Sequence, residues 1–495
     1  MGSYHLIVLV HGLWGNYSNM QYLQSQIESQ GEDVVVYKTG SHSGFLTYDG
    51  IDVNGKRVCD EIMSETQRLT DGDHKVTKIS IVGYSLGGLI ARYAIGVLHS
   101  LNYFESIEPI HFVTFCSPHV GVLTPNTGIA ARLFNFVVPY FLAHSGSQMF
   151  LTDRRQFKVP SRENINIEKR QLPLLVWMAE PQSFFFKALA KFKHRSLYAN
   201  IINDKRTCWF TSAISIMDPF QSMSNESCSI YDLDYVPGYE PTVIDIKKPI
   251  TIIELNENEE TKFESSIQNE SWISNFLRRK LNWVKVLGKL VIFTPIWAGY
   301  FVCRSILERI KLNRRVSTFF HDASNNLLHL YDYEEADEDD LSSEKSDTNN
   351  FAISDRLSLQ TDGLIESVFD AINSEKYSNH HYLVSSHDKE NHNDSDPGLA
   401  KFYSAISDSI QSSQDQINTK VIEQIIPNLE FELKLSLAQR IIIKNLNSLS
   451  WDKFPVLIRN TKATHAAVIV KIEDPDYEEG KTVVKHFVEQ VLTKL

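Results

Sequence analysis

Apolar and polar positions alternate between two patterns along the first two hundred residues. Leu6–Val10, Ile79–Val82, His111–Cys116 and Ser196–Ile202 are short runs that stay apolar at nearly every position, and Asp33–Lys38 is a fifth of similar length. Such runs predict strands buried on both faces, because a strand with one wet face would be apolar only at every second residue. Between them lie stretches with helical spacing: Gly55–Leu69 through Val58, Ile62 and Leu69, the segment after Ser85, Ile129–Leu142 and Ser183–Phe192. Strands that alternate with helices predict a parallel sheet covered on both sides, with its chemistry at the carboxyl ends of the strands. The pattern breaks after about residue 210. It returns as a helix over Phe431–Ile443, a strand over Phe454–Ile458, a core-like strand over Ala466–Val470 and a closing amphipathic helix over Thr482–Leu492.

The strand ending at Val82 runs into Gly83-Tyr84-Ser85-Leu86-Gly87 and then a helix. A serine nucleophile must stand clear of the sheet on a sharp strand-to-helix turn, with small residues two places to either side. Gly83 and Gly87 supply them, and Gly88 lets the helix pack closely. The first strand ends in His11-Gly12-Leu13-Trp14-Gly15, a loop suited to backbone N–H groups that meet a developing oxyanion. The residue after the nucleophile, Leu86, gives one such N–H and Leu13 the other. Trp14 is placed to floor a substrate-binding acyl site.

Serine needs a histidine base, and the base needs an acid to fix its tautomer. In chain order these follow as serine, acid, histidine. Asp204 lies just past the apolar run that ends at Ile202, with Asp218 in Ile216-Met-Asp-Pro219 as the alternative. His465 is the late histidine beside a core-like run. His486 sits inside the final helix, while His380, His381, His387 and His392 lie in polar sequence. The expected catalytic set is Ser85, Asp204 and His465.

Composition narrows the partners. A net charge of −12 gives no electrostatic footing for nucleic acid. Five scattered cysteines, with no CxxC spacing, suit a reducing compartment and neither a disulfide framework nor a zinc site. No metal or organic cofactor is expected. The sequence enters a core strand at once, so no secretory signal is expected and the protein is read as intracellular.

These patterns divide the chain into a hydrolase core with loop and elbow (1–122), an apolar helical lid (123–195), a core strand and acid loop (196–210), a long insertion (211–430) and a C-terminal core carrying His465 (431–495). Within the insertion, the acidic run Tyr331–Asp340 and the polar run His387–Asp396 predict disorder. Trp283–Cys303 is its one strongly apolar tract. The uncharged part, Leu290–Cys303, has 14 residues, short of the roughly 20 that a spanning helix needs. Pro295 interrupts it, and basic residues flank both ends: Arg278–Lys280 before, Arg304 to Arg315 after. Symmetric basic flanks suit a segment, 281–315 overall, that dips into one leaflet; a buried core helix and a true span are the alternatives.

His11–Gly15, Val82–Gly88, Phe115-Cys-Ser-Pro-His119, Tyr198–Asp204 and His465 together resemble the fungal Rog-type serine esterases and lipases of the α/β-hydrolase superfamily, and within them the lipid-droplet phospholipases. The resemblance covers roughly 4–210 and 430–495. It implies an α/β-hydrolase fold with a mostly parallel, doubly wound sheet; this chain departs from the superfamily pattern in that its sheet is expected to begin at the strand usually numbered third, without the leading antiparallel strands. It also implies a phospholipase or lipase acting on phospholipid or neutral lipid at a membrane or lipid-droplet surface. A non-catalytic lipid-surface adaptor and a triad-dependent acyltransferase are the rival expectations.

Overall fold

The computed structural model describes residues 2–31, 33–70, 74–125, 129–160, 167–204, 206–220, 223, 231–246, 251–252, 310–319, 433 and 435–494. The apolar tract up to residue 309 and the runs at 331–340 and 387–396 lie outside the described residues. The chain forms two compact units. Met1–Asn225, Leu233–Ile250 and Ser324–Leu495 make the first; Glu226–Asp232 and Thr251–Ala323 make the second.

In chain order the first unit opens with β1 (Gly2–Val10), α1 (Gln21–Glu28), β2 (Val34–Lys38), α2 (Ile51–Thr70), β3 (His74–Tyr84), α3 (Leu86–Ser100) and β4 (Glu108–Phe115). It continues through α4 (Ile129–Phe141), α5 (Ala143–Met149), β5 (Arg155–Pro160), β6 (Ile167–Leu172), α6 (Leu174–Ala179), α7 (Phe184–Lys191), β7 (His194–Asn200) and α8 (Trp209–Ser212). The second unit holds β8 (Tyr231–Asp232), paired antiparallel with β9 (Thr251–Ile252), and a helix over 310–319. The first unit resumes with α9 (Leu437–Leu446), β10 (Asp452–Val456), α10 (Thr464–Ala467) and α11 (Glu478–His486), which ends in a π-helical turn over Phe487–Val491.

Six strands form one sheet in the order β10-β7-β4-β3-β1-β2, and every adjacent pair is parallel. The unbroken apolar run of β1 now has its reason, since all of Leu6–Val10 is fully buried. Ile7 and Leu9 join a cluster with Val82, Phe115, Tyr198 and Val456 of the sheet, Leu23 and Ile27 of α1, and Val483 and Val484 of α11. Phe115 stacks on Tyr198 at 4.6 Å and takes the edge of Phe487 at 5.5 Å. Leu6, Val8 and Val10 point to the opposite face, the side of α2, α3 and α7. There the chains pack backbone-close: a Cβ on Gly55 of α2 would lie 2.5 Å from the Tyr93 ring of α3, and that ring meets Phe185 of α7 at 4.8 Å. Each fully buried side chain of this size contributes about 1.5–3 kcal/mol by leaving water.

Two sequence expectations need correction. Ala466–Val470 is not a strand: Thr464–Ala467 is a single helical turn, and the residues beyond it close a tight turn through Val470 N–H to Ala467 O (2.9 Å). A short apolar run fits a buried helix turn as well as a strand. The helix expected from Phe431 begins at Leu437, because Ser436 caps it and exchanges a reciprocal pair of hydrogen bonds with Gln439. The β5–β6 hairpin carries Arg155, Lys158, Glu168, Lys169 and Arg170, so no apolar run announced it.

Burial lowers the pKa of several histidines in this core, His5, His11 and His486 to about 4, His111 to about 3, and His42 and His119 well below the usual range. The unfolded chain binds their protons at about 6.5 and the folded chain does not, so the folded state loses stability as pH falls below that value. Denaturant unfolding is expected to show a falling free energy from about pH 6.5 towards pH 4. A flat profile over that range would contradict the burial of these imidazoles.

Candidate active site

The carboxyl ends of β1, β3, β7 and β10 converge on one edge of the sheet. β3 ends at Tyr84, and Ser85 turns the chain into α3 with φ 54 and ψ −128. This is a conformation that L-residues avoid; it persists because the surroundings fix it. The Ser85 N–H donates to Phe115 O at 2.9 Å, tying the turn to β4. A Cβ at Gly87 would collide with the Val10 carbonyl, and one at Gly88 with the Ser117 side chain. One at Gly12 would lie 2.7 Å from the Ser85 Cβ and 3.3 Å from its Oγ. The elbow and the loop after β1 therefore interlock at a spacing that only glycine permits.

The structure brings Ser85, His465 and Asp204 together. Ser85 Oγ lies 2.9 Å from His465 Nε2, and His465 Nδ1 lies 2.9 Å from Asp204 Oδ2. Asp204 is buried and accepts the Asn200 amide (3.1 Å) and the Thr207 hydroxyl (3.0 Å) on Oδ2, and the Arg206 and Thr207 N–H groups (3.1 and 2.9 Å) on Oδ1. Burial alone would raise its carboxyl, but the attraction and hydrogen bond of His465, with those other donors, hold it at about 2. It is thus an ionised acceptor that fixes Nδ1 as the protonated nitrogen and leaves Nε2 to accept from Ser85.

Leu86 is the first residue of α3, so its N–H is one of those that a helix start leaves without an intrahelical acceptor. Leu13 follows Gly12 in the loop against Ser85. Two buried histidines brace that loop. His11 donates from Nδ1 to Gly12 O (3.0 Å), His42 donates from Nε2 to His11 O (3.2 Å), and the rings stack at 3.9 Å. Burial keeps both neutral, His11 at about 4 and His42 well below the usual range. Trp14 also has positive φ; its N–H reaches Thr47 Oγ1 (3.2 Å) and its indole N–H the Tyr48 hydroxyl (2.6 Å). The apolar insertion meets the same place, since the Ser145 hydroxyl of α5 donates to Thr47 O at 2.5 Å.

The alternative acid and histidine are occupied elsewhere. Asp218 accepts the Phe220 N–H of its own turn (3.1 Å), and His486 is buried against Tyr198, whose hydroxyl it meets at 2.7 Å. His380, His381, His387 and His392 lie outside the described residues. Sequence reasoning missed Tyr84, Asn200, Thr207 and Cys116. The spacing Asp204-x-x-Thr207 was the available signal, an aspartate bonded to the backbone two and three residues on. The Cys116 thiol is pushed up by burial and by Asp204. Among the described residues, Cys116, Asp204 and His465 are the one group of three or more His, Cys, Asp or Glu side chains whose ligand atoms lie within 4.8 Å of one another. Both His465 nitrogens are already engaged with Asp204 and Ser85, so the arrangement is that of a proton relay.

Fold and residues together define an α/β-hydrolase fold in which Ser85 sits at a Gly-x-Ser-x-Gly elbow. Residues 2–215 match the family described as "Putative serine esterase (DUF676)", and over that span the likeness to a serine esterase family is direct. The Schizosaccharomyces pombe protein named "Putative lipase C4A8.10" is 30% identical over 219 residues, which are 43% of this chain and 26% of that protein. The Saccharomyces cerevisiae "Putative lipase ROG1" is 29% identical over 221 residues, 43% of this chain and 29% of that protein. The chain thus spans less than a third of the length of these curated relatives. Among solved structures, polyneuridine aldehyde esterase overlaps 41% of this chain and 83% of its own at 18% identity, with a TM-score of 0.21. The fold assignment rests on the sheet and its elbow, not on that overlap.

Replacing Asp204 by Asn is expected to lower kcat on p-nitrophenyl butyrate by about 10⁴-fold, because the imidazole loses its tautomer, while Asp218→Asn stays within about twofold. The reverse order would move the acid to Asp218. Asp204 has a folded pKa below the unfolded value of about 3.9, so its stabilising contribution is full above that pH and is lost as pH falls towards 2.

Proposed function

We propose that this chain is a serine hydrolase that cleaves fatty-acyl esters of glycerophospholipids or neutral lipids at a membrane or lipid-droplet surface. The observation that carries the reading is the continuous hydrogen-bond chain from Ser85 through His465 to Asp204. Ser85 Oγ attacks the ester carbonyl as His465 Nε2 takes its proton. The N–H groups of Leu13 and Leu86 meet the carbonyl oxygen as it becomes negative. His465 then protonates the departing alcohol, leaving the acyl group on Ser85. Water, deprotonated by the same imidazole, releases the acid. Asp204 stays ionised throughout and stabilises the imidazolium.

Support for a lipid substrate comes from α4. Leu133 (61% exposed), Phe136 (82%) and Tyr140 (64%) recur on one face of it, with Phe141 beside them. Exposed aromatic and aliphatic side chains on a helix of the apolar insertion suit contact with acyl chains. The names of the fungal relatives agree with this choice. Trp14, at the mouth of the same loop, is the proposed floor of the acyl site. Among the described residues no helix is long and apolar enough to cross a membrane. We assign surface attachment to the tract 281–315, most of which lies outside the described residues.

Incubating the protein with mixed phospholipid and triacylglycerol vesicles, then weighing the products by mass spectrometry, identifies the substrate. Fatty acid release is expected from wild type and not from Ser85→Ala, with a loss on the order of 10⁶-fold. Release by Ser85→Ala at a tenth of the wild-type rate would overturn the reading. The double variant Leu133→Ser, Phe136→Ser should lose activity on vesicles yet keep activity on soluble p-nitrophenyl butyrate. Serine at Ile292, Phe293, Ile296 and Trp297 should shift the protein from the vesicle-bound to the free fraction in flotation, each change removing about 1.5–3 kcal/mol of burial. Equal loss on both substrates, or unchanged flotation, would count against a lipid surface.

A further inference from the structure

We propose that Tyr84 is a positioning residue for the base, holding the backbone of His465 against the turn that carries Ser85. The inference rests on the hydrolase reading above. Tyr84 is the variable residue before the serine in the elbow, and its side chain is buried in the main apolar cluster. A phenol hydroxyl there is costly unless bonded. It donates to His465 O at 3.0 Å, and its ring lies 5.2 Å from the imidazole, tilted by 40°.

The local backbone explains why that carbonyl needs an outside donor. α10 is one turn long. Val468 N–H takes Thr464 O (3.1 Å), Lys471 N–H takes Ala466 O (3.1 Å) and Val470 N–H takes Ala467 O (2.9 Å). The carbonyls on either side of His465 are thus taken by backbone, while that of His465 is taken by Tyr84. A buried carbonyl left unpaired costs about as much as a lost hydrogen bond.

The geometry also explains why the bond bears on catalysis and not only on packing. Ser85 and His465 must meet at 2.9 Å although 380 positions separate them. The approach to His465 is exposed at Arg459, Asn460 and Lys462, and its N–H groups at Arg459 and Asn460 are held by Glu479 of α11 (2.7 and 2.9 Å). Tyr84 is covalently next to Ser85, so its hydroxyl sets the height of the base relative to the nucleophile directly. Its own carbonyl faces the oxyanion loop, 3.0 Å from where a Gly12 Cβ would stand. One residue thus spans loop, nucleophile and base. Misplacement of reacting groups by an ångström costs on the order of 10²-fold in rate.

Tyr84→Phe keeps the ring and removes one oxygen. On p-nitrophenyl butyrate its kcat is expected to fall about tenfold, with KM within about twofold, because only an alignment needed in the transition state is lost. Circular dichroism should show a wild-type spectrum and a melting temperature lowered by only a few degrees. Tyr84→Leu, which removes ring and hydroxyl together, should show a similar kcat with a lower melting temperature. Wild-type kcat in Tyr84→Phe would overturn the proposal. So would a loss of rate that merely follows the unfolded fraction, or failure of Tyr84→Phe to fold, since either makes the hydroxyl a structural anchor. A wild-type protein inactive on the ester, or a Ser85→Ala variant as active as wild type, would instead defeat the hydrolase reading itself.

Discussion

The backbone turn at Ser85 is the constraint on which the rest of this edge depends. A serine at φ 54 is tolerable only where the chain on both sides is locked. Here the lock has three parts: the Ser85 N–H bonded to β4, Gly87 pressed on the end of β1, and Gly12 pressed on Ser85 itself. The strain is balanced by burial in the sheet below, where β1 and β3 are enclosed on both faces. What the strain yields is placement: Oγ at the carboxyl edge, within hydrogen-bond distance of an imidazole delivered from the far end of the chain.

Electrostatics follow from the same enclosure. Asp204 sits where desolvation should neutralise it, yet the facing imidazole and four further hydrogen bonds keep it ionised. His11 and His42 experience burial without a comparable anion and stay neutral, which lets them act as fixed donors to the backbone of the loop after β1. One acid is charged and two histidines are uncharged within the same edge, and the difference is set by partners.

The sheet was legible in the sequence because a parallel strand buried on both faces has an unmistakable apolar run, as at Leu6–Val10. The elbow and its loop were legible because glycine is required at fixed offsets from the serine. Asp204 and His465 were reachable by chain order, Asp204 by its place after an apolar run and His465 by its place beside one. Tyr84 and Thr207 were not, since their roles depend on which distant atom they meet. Ala466–Val470 was misread because five apolar residues carry no period, and β5–β6 was missed because its sequence, with Arg155, Lys158, Glu168, Lys169 and Arg170, offers no apolar run, and the pairing is made by backbone. The core spans the break at 211–430 because both of its halves contribute strands to one sheet, a pairing that no local pattern records.

The most direct measurement of the central claim is covalent labelling of the intact protein with a fluorophosphonate, followed by peptide mass mapping. A serine activated by a hydrogen-bonded imidazole should take a single adduct, on the peptide containing Ser85, and His465→Ala should prevent it. Absence of an adduct, or modification of another serine with Ser85 untouched, would contradict the account.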